Sequence, residues 1–378
     1  MPISRRLFVQ NAAAALALLS IKNNALATAA KRTGIKGFYK DDFRIGTALS
    51  TATLMNNNKP LLALVAREFN AITAENCMKW EPLKPNNKDW NWGPADKFVE
   101  FGEQHNMYIV GHNLVWHSQV PKEVFQSEPG GVISKEQLTQ RMQDHISALA
   151  GRYKGRIHAW DVVNEAVEDD GSWRKSPWYN IMGENFIAKA FHMAHEVDPK
   201  AHLIYNDYNT ETAVKRDFIV NMVKKFKKQG VPIQGVGMQE HLSIDGPSVE
   251  EIEKTLIALA GAGVRVHITE LDVDVLPSVW NVPTAEVSTR FEYTPERDPF
   301  IQKLPKNIEE KLAKRYEEIF KIYLKHRDKI DRITLWGTTD AETWLNNFPI
   351  RGRTNYPLLF DRKMAPKPAY FRLLDLKK

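Results

Sequence analysis

Hydrophobic and polar positions along this chain follow two periods that take turns. Short runs rich in β-branched and aromatic residues predict strands at 43–49, 71–76, 108–117, 157–165, 202–208, 235–242, 265–273 and 332–340. Between them, apolar residues at three- to four-residue spacing predict helices, among them 61–69, 135–153, 186–195, 214–229, 249–262 and 308–326. Strands alternating with helices signal a parallel α/β sheet, and eight such pairs close into a ring more naturally than they form an open sheet. The expected fold is a single-domain (β/α)8 TIM barrel.

The polar residues are not spread evenly over these strands. Glu75 and Asn76, His112 and His117, Asn164 and Glu165, Asn206 and Asp207, Gln239 and His241, Glu270 and Asp272 all sit at carboxyl ends. Barrels of this kind build their sites at that face. The stretch 276–305 has little periodicity and several prolines, and loops of that length in compact domains usually serve a function.

The amino terminus reads differently. Arg5 and Arg6 precede an apolar run from Ala12 to Ile21, and Ala25-Leu26-Ala27 offers a small-residue cleavage site, so residues 1–27 are expected to be a signal peptide. The run is too short to span a bilayer. Ser4-Arg5-Arg6-Leu7-Phe8 resembles a twin-arginine export signal, with a general secretory signal as the alternative. Either one sends the folded domain, expected over 31–378, to the periplasm or the medium, with no membrane association after export.

Composition then narrows the classes. With 378 residues, 43% hydrophobic and 26% charged, the chain belongs among ordinary globular proteins. Cys77 is the single cysteine, so neither a disulfide framework nor a cysteine-based zinc site is available within the chain. The net charge of +6 hints at nucleic acid, but removing residues 1–27 takes away Arg5, Arg6 and Lys22 with no acidic residue, leaving +3. No basic run stands out, and no nucleic-acid partner is expected. The 10 tryptophans are many for this length, and flat side chains suit flat ligands.

Two glutamates carry the chemistry. Glu165, in Trp160-Asp161-Val162-Val163-Asn164-Glu165, and Glu270, in Ile268-Thr269-Glu270-Leu271-Asp272, end the fourth and seventh strands and should face each other across the barrel mouth. One carboxyl that donates a proton and another that attacks or activates water suffice to cleave a glycosidic bond, with neither metal nor cofactor. His112 and His117, five apart on one strand, should face opposite sides, and no His-Glu-x-x-His helix exists, so metal chemistry is not expected.

Six motifs in order carry a resemblance. They are Glu75-Asn76-x-Met78-Lys79-Trp80, Gly111-His112-x-Leu114-Val115-Trp116-His117, the Glu165 strand, Tyr205-Asn206-Asp207-Tyr208-Asn209, the Glu270 strand and Leu335-Trp336-Gly337. The chain resembles glycoside hydrolase family 10, whose members are retaining endo-β-1,4-xylanases on a (β/α)8 barrel. The resemblance implies Glu165 as acid/base and Glu270 as nucleophile, which requires a protonated Glu165 and an ionised Glu270. It also implies a chain from Asp272 through His241 to Glu270 that orients the nucleophile. Spacing agrees, since Glu270 and Asp272 share a strand face, as do Gln239 and His241.

By the same resemblance Asn164 bonds the sugar 2-hydroxyl. Asn164 and Glu165 can both face the site only where the strand bends or ends. Lys79, His112, Trp116 and Gln239 match positions around the cleaved sugar, Glu75 and Asn76 its neighbour, and Trp336 and Trp344 aromatic walls. Trp160 is expected in the core and His267 in a structural role, while Trp90, Trp92, Trp173, Trp178 and Trp280 are open. Cys77 is expected to point into the barrel wall as a small apolar group. The expected substrate is xylan or xylooligosaccharides, acted on by a monomer without cofactor. A related cellulase or mannanase, and a silent xylan-binding or inhibitor protein that should have lost one carboxylate, are the competing readings.

Overall fold

A computed structural model describes residues 33–127, 130–279 and 289–377. The expected signal peptide, 1–27, and Trp280 lie outside the described residues. Nine strands appear in the order β1 (Arg44–Leu49), β2 (Ala71–Ala74), β3 (Tyr108–Trp116), β4 (Ala159–Asn164), β5 (His202–Asp207), β6 (Gly235–Met238), β7 (His241–Ser243), β8 (Arg265–Asp274) and β9 (Ile330–Leu335). Parallel pairing runs from β1 through β6, crosses to β8, and returns through β9 to β1. Eight strands therefore close a barrel, and β7 pairs only with the upper half of β8, His241 opposite Asp272.

Two expected strands are corrected. The sixth, expected over 235–242, breaks after Met238 because Glu240 adopts a left-handed φ of 59°. The last, expected to reach 340, stops at Leu335, and Gly337 at φ 122° turns the chain out of the sheet. All six expected helices form. Their ends carry local signals, for example the Ser134–Gln137 capping box that starts Lys135–Arg152.

Two further helices, Gly93–Gln104 and Pro368–Asp375, complete the outer ring. The first has a weak sequence signal, because Gly93 opens it and Gly102 interrupts it. Gly102 is there for packing: a Cβ would lie 2.6 Å from Ile109. Among the described residues no helix is long and apolar enough to cross a membrane.

The barrel interior changes character from one end to the other. Val110, Ala159 and Ile204 form a small apolar cluster of their own on β3, β4 and β5. Two residues further along, on the same strand faces, stand His112, Asp161 and Asn206, all buried. An apolar layer thus supports a polar one, and the polar layer forms the floor of the site.

Candidate active site

A cleft of about 580 Å³ opens at the carboxyl ends of the strands, lined among others by Glu75, Asn76, Lys79, His112, Trp116, Asn164, Glu165, Gln239, His241, Glu270, Trp336 and Trp344. Every cleft residue expected from sequence is therefore gathered in one place. Asp272 lies just behind, touching His241 and Trp344. His117 is absent from the lining, and Cys77 is buried, its thiol pushed up to about 12 by burial.

The two glutamates are held differently. Glu165 Oε2 accepts from Trp116 Nε1 at 2.8 Å, and its Oε1 accepts from Gln239 Nε2 at 2.9 Å. Glu270 Oε1 accepts from Asn206 Nδ2 at 2.8 Å, while its Oε2 lies 3.2 Å from His241 Nε2. Asn164 Oδ1 takes donors from Asn206 at 2.9 Å and from Gln239 at 3.3 Å. Amides thus join the two carboxylates into one hydrogen-bonded chain.

Behind Glu270 a second line of contacts sets its charge. His241 Nδ1 lies 3.1 Å from Asp272 Oδ1, and Asp272 Oδ2 accepts from Trp344 Nε1 at 2.7 Å. Burial opposes a charge on His241, but the Asp272 and Glu270 carboxylates outweigh it and raise the imidazole to about 10. Burial would likewise raise Glu270. The bond from His241, the neighbouring imidazoles and Asn206 prevail and hold its carboxyl below the ordinary range. An imidazolium beside an ionised Glu270 is the consistent state.

On the other side of the cleft, Lys79 Nζ donates to Asn76 Oδ1 at 3.0 Å and Gln119 Oε1 at 2.9 Å, and stands 4.9 Å from the Trp116 ring. Burial lowers its ammonium, against the opposing pull of Glu270, Glu75 and Glu165. Burial raises Glu75, and the Lys79 charge counters it. His112 Nδ1 sits 2.9 Å from Asp161, with its ring edge-on to Trp336 at 5.3 Å.

Asn164 and Glu165 both face the cleft because the strand ends between them. Glu165 has φ 58°, and the β4–β5 register shifts between Asp161 and Val163. Gln239 and His241 both reach the cleft too, but the expected reason was wrong. The left-handed Glu240 between them, rather than strand alternation, turns the chain.

Sequence reading missed several contributors. Asn206 stood in a quoted motif without a role, yet it touches both Asn164 and Glu270. Gln119, Tyr208, Asn209, Ser278, Arg290 and Phe348 also line the cleft. Ser278 and Arg290 come from the long loop 276–305, and Arg290 lies over the Phe348 ring at 5.3 Å. Nothing local in the sequence signals contacts between loops so far apart.

The open tryptophans are mostly structural. Trp90 stacks on Trp92 at 4.5 Å, Arg152 covers the Trp92 ring, and Trp80 stacks on His145 at 3.6 Å. Burial pushes His145 down to about 3, so a neutral ring fills that column. Trp160 is fully buried, Trp173 packs edge-on against Phe218, and buried Trp178 donates to the Trp116 carbonyl at 2.9 Å, bracing a wall of the cleft.

At the opposite end of the barrel, His202 and His267 meet at 3.0 Å near Asp331. Arg265 pairs with that carboxylate, and burial, then the Arg332 charge, push His267 well below its ordinary range. His267 is fully buried, and a Cβ on Gly235 would lie 2.6 Å from its Nε2.

A closed barrel whose mouth holds two buried, amide-linked glutamates between indole walls has the equipment of a two-carboxylate glycoside hydrolase. The chain belongs to glycosyl hydrolase family 10, whose model matches residues 34–376. Among curated relatives, endo-1,4-beta-xylanase A of Xylanibacter ruminicola is 42% identical over 334 residues, spanning 88% of this chain and 90% of the relative. A GH10 endoxylanase structure retrieved from a sugarcane soil metagenome shares 83% identity with a TM-score of 0.89, covering 91% of this chain and all of that one. The intracellular xylanase TsXylA of Thermoanaerobacterium saccharolyticum, solved as a mutant with xylotriose, shares 34% identity and a TM-score of 0.78, covering 90% of this chain and 98% of that one.

Proposed function

We propose that the chain is an endo-1,4-β-xylanase that works by double displacement. Glu165 protonates the leaving oxygen while Glu270 attacks the anomeric carbon, giving a covalent xylosyl-enzyme. Glu165 then takes a proton from the incoming water. The observation that carries this division is the difference in partners, neutral Trp116 and Gln239 donors at Glu165 and His241 at Glu270. Glu270 is held below the ordinary carboxylate range against an imidazolium, as a nucleophile must be.

The surrounding groups support a xylose-based substrate. Asn164 Oδ1 is occupied by two donors, which leaves its Nδ2 to donate to a sugar hydroxyl. Trp336 and Trp344 offer flat walls for pyranose faces. The relatives are xylanases, and one of them binds xylotriose.

The reaction is tested by following, with proton NMR, the anomer first released from a xylooligosaccharide. The β-anomer is expected, and initial α-anomer overturns the mechanism. Glu270→Ala is expected to lose nearly all turnover while retaining xylan binding. The substrate class is tested by comparing xylan with cellulose and mannan, of which xylan should be hydrolysed fastest.

Export through residues 1–27 is the second part of the proposal, supported by Arg5-Arg6 ahead of the apolar run. Mass spectrometry of the exported protein should find Thr28 at its amino terminus. Replacing both arginines by lysine should retain the chain in the cytoplasm.

A further inference from the structure

Glu165 is a non-glycine residue in the left-handed region, a conformation that is unfavourable for a side chain and persists only where the surroundings impose it. The peptide group that follows it is gripped from both sides. Its carbonyl, Glu165 O, accepts from Arg174 Nε at 2.7 Å, and its amide, Ala166 N, donates to Tyr205 Oη at 3.1 Å. Neither Arg174 nor Tyr205 lines the cleft.

Both gripping side chains are themselves anchored. Arg174, nearly buried, also donates to Tyr208 Oη at 2.8 Å and pairs with Glu168 at 3.0 Å, and its own amide bonds Ala166 O at 2.9 Å. Tyr205, fully buried, donates to Asp207, whose other oxygen lies 2.9 Å from Lys215 Nζ. Lys215 has no exposure and continues to Asp169 at 3.2 Å. This is a satisfied polar network in which every link resists rotation of one peptide plane.

We propose that Arg174 and Tyr205 are positioning residues, a clamp that fixes the peptide after Glu165 and so sets the Glu165 carboxyl where it can protonate the leaving oxygen. The inference rests on the acid/base reading of Glu165. Its physical content is that the clamp acts on proton transfer to the leaving group; Arg174 also bonds Tyr208, which lines the cleft, so Tyr205→Phe isolates the clamp more cleanly. A misplacement of about 1 Å at a catalytic group costs on the order of a hundredfold in rate.

The test compares two substrates, a xylooligosaccharide, whose leaving alcohol needs a proton, and dinitrophenyl β-xylobioside, whose leaving phenolate needs none. For both, kcat/KM reports the step up to cleavage of the glycosidic bond. Arg174→Met and Tyr205→Phe are expected to lose roughly ten- to a hundredfold on the oligosaccharide but less than about threefold on the dinitrophenyl substrate. Arg174→Lys, which keeps a donor near the carbonyl, should recover part of the loss.

Equal losses on both substrates, or no loss on either, overturn the clamp. Glu165→Ala serves as the reference: if it shows no preference for the dinitrophenyl substrate, the acid/base reading itself falls and the clamp with it. If that variant discriminates and the clamp variants do not, only the clamp fails. Tyr205→Phe removes one oxygen atom, so it carries the test should Arg174→Met not fold.

Discussion

Replacing His241 by Gln asks how much of the ionisation of Glu270 depends on a neighbouring positive charge. His241 has its side chain only 20% exposed and stands between two carboxylates, 3.2 Å from Glu270 and 3.1 Å from Asp272. Raised to about 10, it is an imidazolium at neutral pH. At 3.2 Å, with an effective dielectric constant of about 20, the attraction to Glu270 is about 5 kcal/mol before desolvation is subtracted. Gln reaches the same region with a neutral donor, so the loss should be the charge-assisted part, about 1.5–3 kcal/mol.

At about 1.4 kcal/mol per unit, that raises the Glu270 carboxyl by about one to two units. The assay is kcat/KM for dinitrophenyl β-xylobioside against pH, because that profile reports the free enzyme. Its acid limb should move up by about one to two units. A plateau that drops with the acid limb unmoved would refute the reasoning, since His241 would then orient Glu270 without keeping it charged.

Three further outcomes follow from the same geometry. Because folding raises His241 above its ordinary 6.5, its stabilisation is complete below about pH 6.5 and lost as pH climbs through about 10. Thermal midpoints should therefore fall further between pH 7 and 10 in the parent than in His241→Gln. Gly237→Ala would place a Cβ 2.2 Å from Asn206 Oδ1, so kcat/KM should fall at least about tenfold, whereas Gly183→Ala, with open space but φ 66° and ψ −171°, should cost about 1–3 kcal/mol of stability and no activity. Trp344→Phe removes the 2.7 Å bond to Asp272 and should cost about 1.5–3 kcal/mol in urea denaturation; an unchanged midpoint would show that water replaces the indole.

How much was legible in the sequence depends on the range over which each signal acts. Strand and helix periods are local, so the eightfold alternation and the carboxyl-end clustering of Glu75, Asn164, Glu165 and Glu270 could be read directly. Contacts set by the closed barrel could not. Arg290 meets Phe348, and Trp178 braces Trp116, across separations that no window spans. Asn206 looked like one motif residue among five, because its value lies in standing between Asn164 on β4 and Glu270 on β8.

The failures of the alternation rule are themselves informative. Glu165, Asn209 and Glu240 are left-handed, and they follow β4, β5 and β6 in turn. A strand that kept its period would put Asn164 and Glu165 on opposite faces, and one of them would leave the cleft. Each left-handed residue ends the period at the point where two consecutive side chains, or two flanking a third, must serve one cleft. Asn tolerates that region, but at Glu165 and Glu240 local preference opposes it, so the surroundings must impose it, and the buried Arg174 and Tyr205 are placed to do so at Glu165. In this barrel, the positions where the sequence pattern breaks down are those where the fold gives up regular geometry to aim the site.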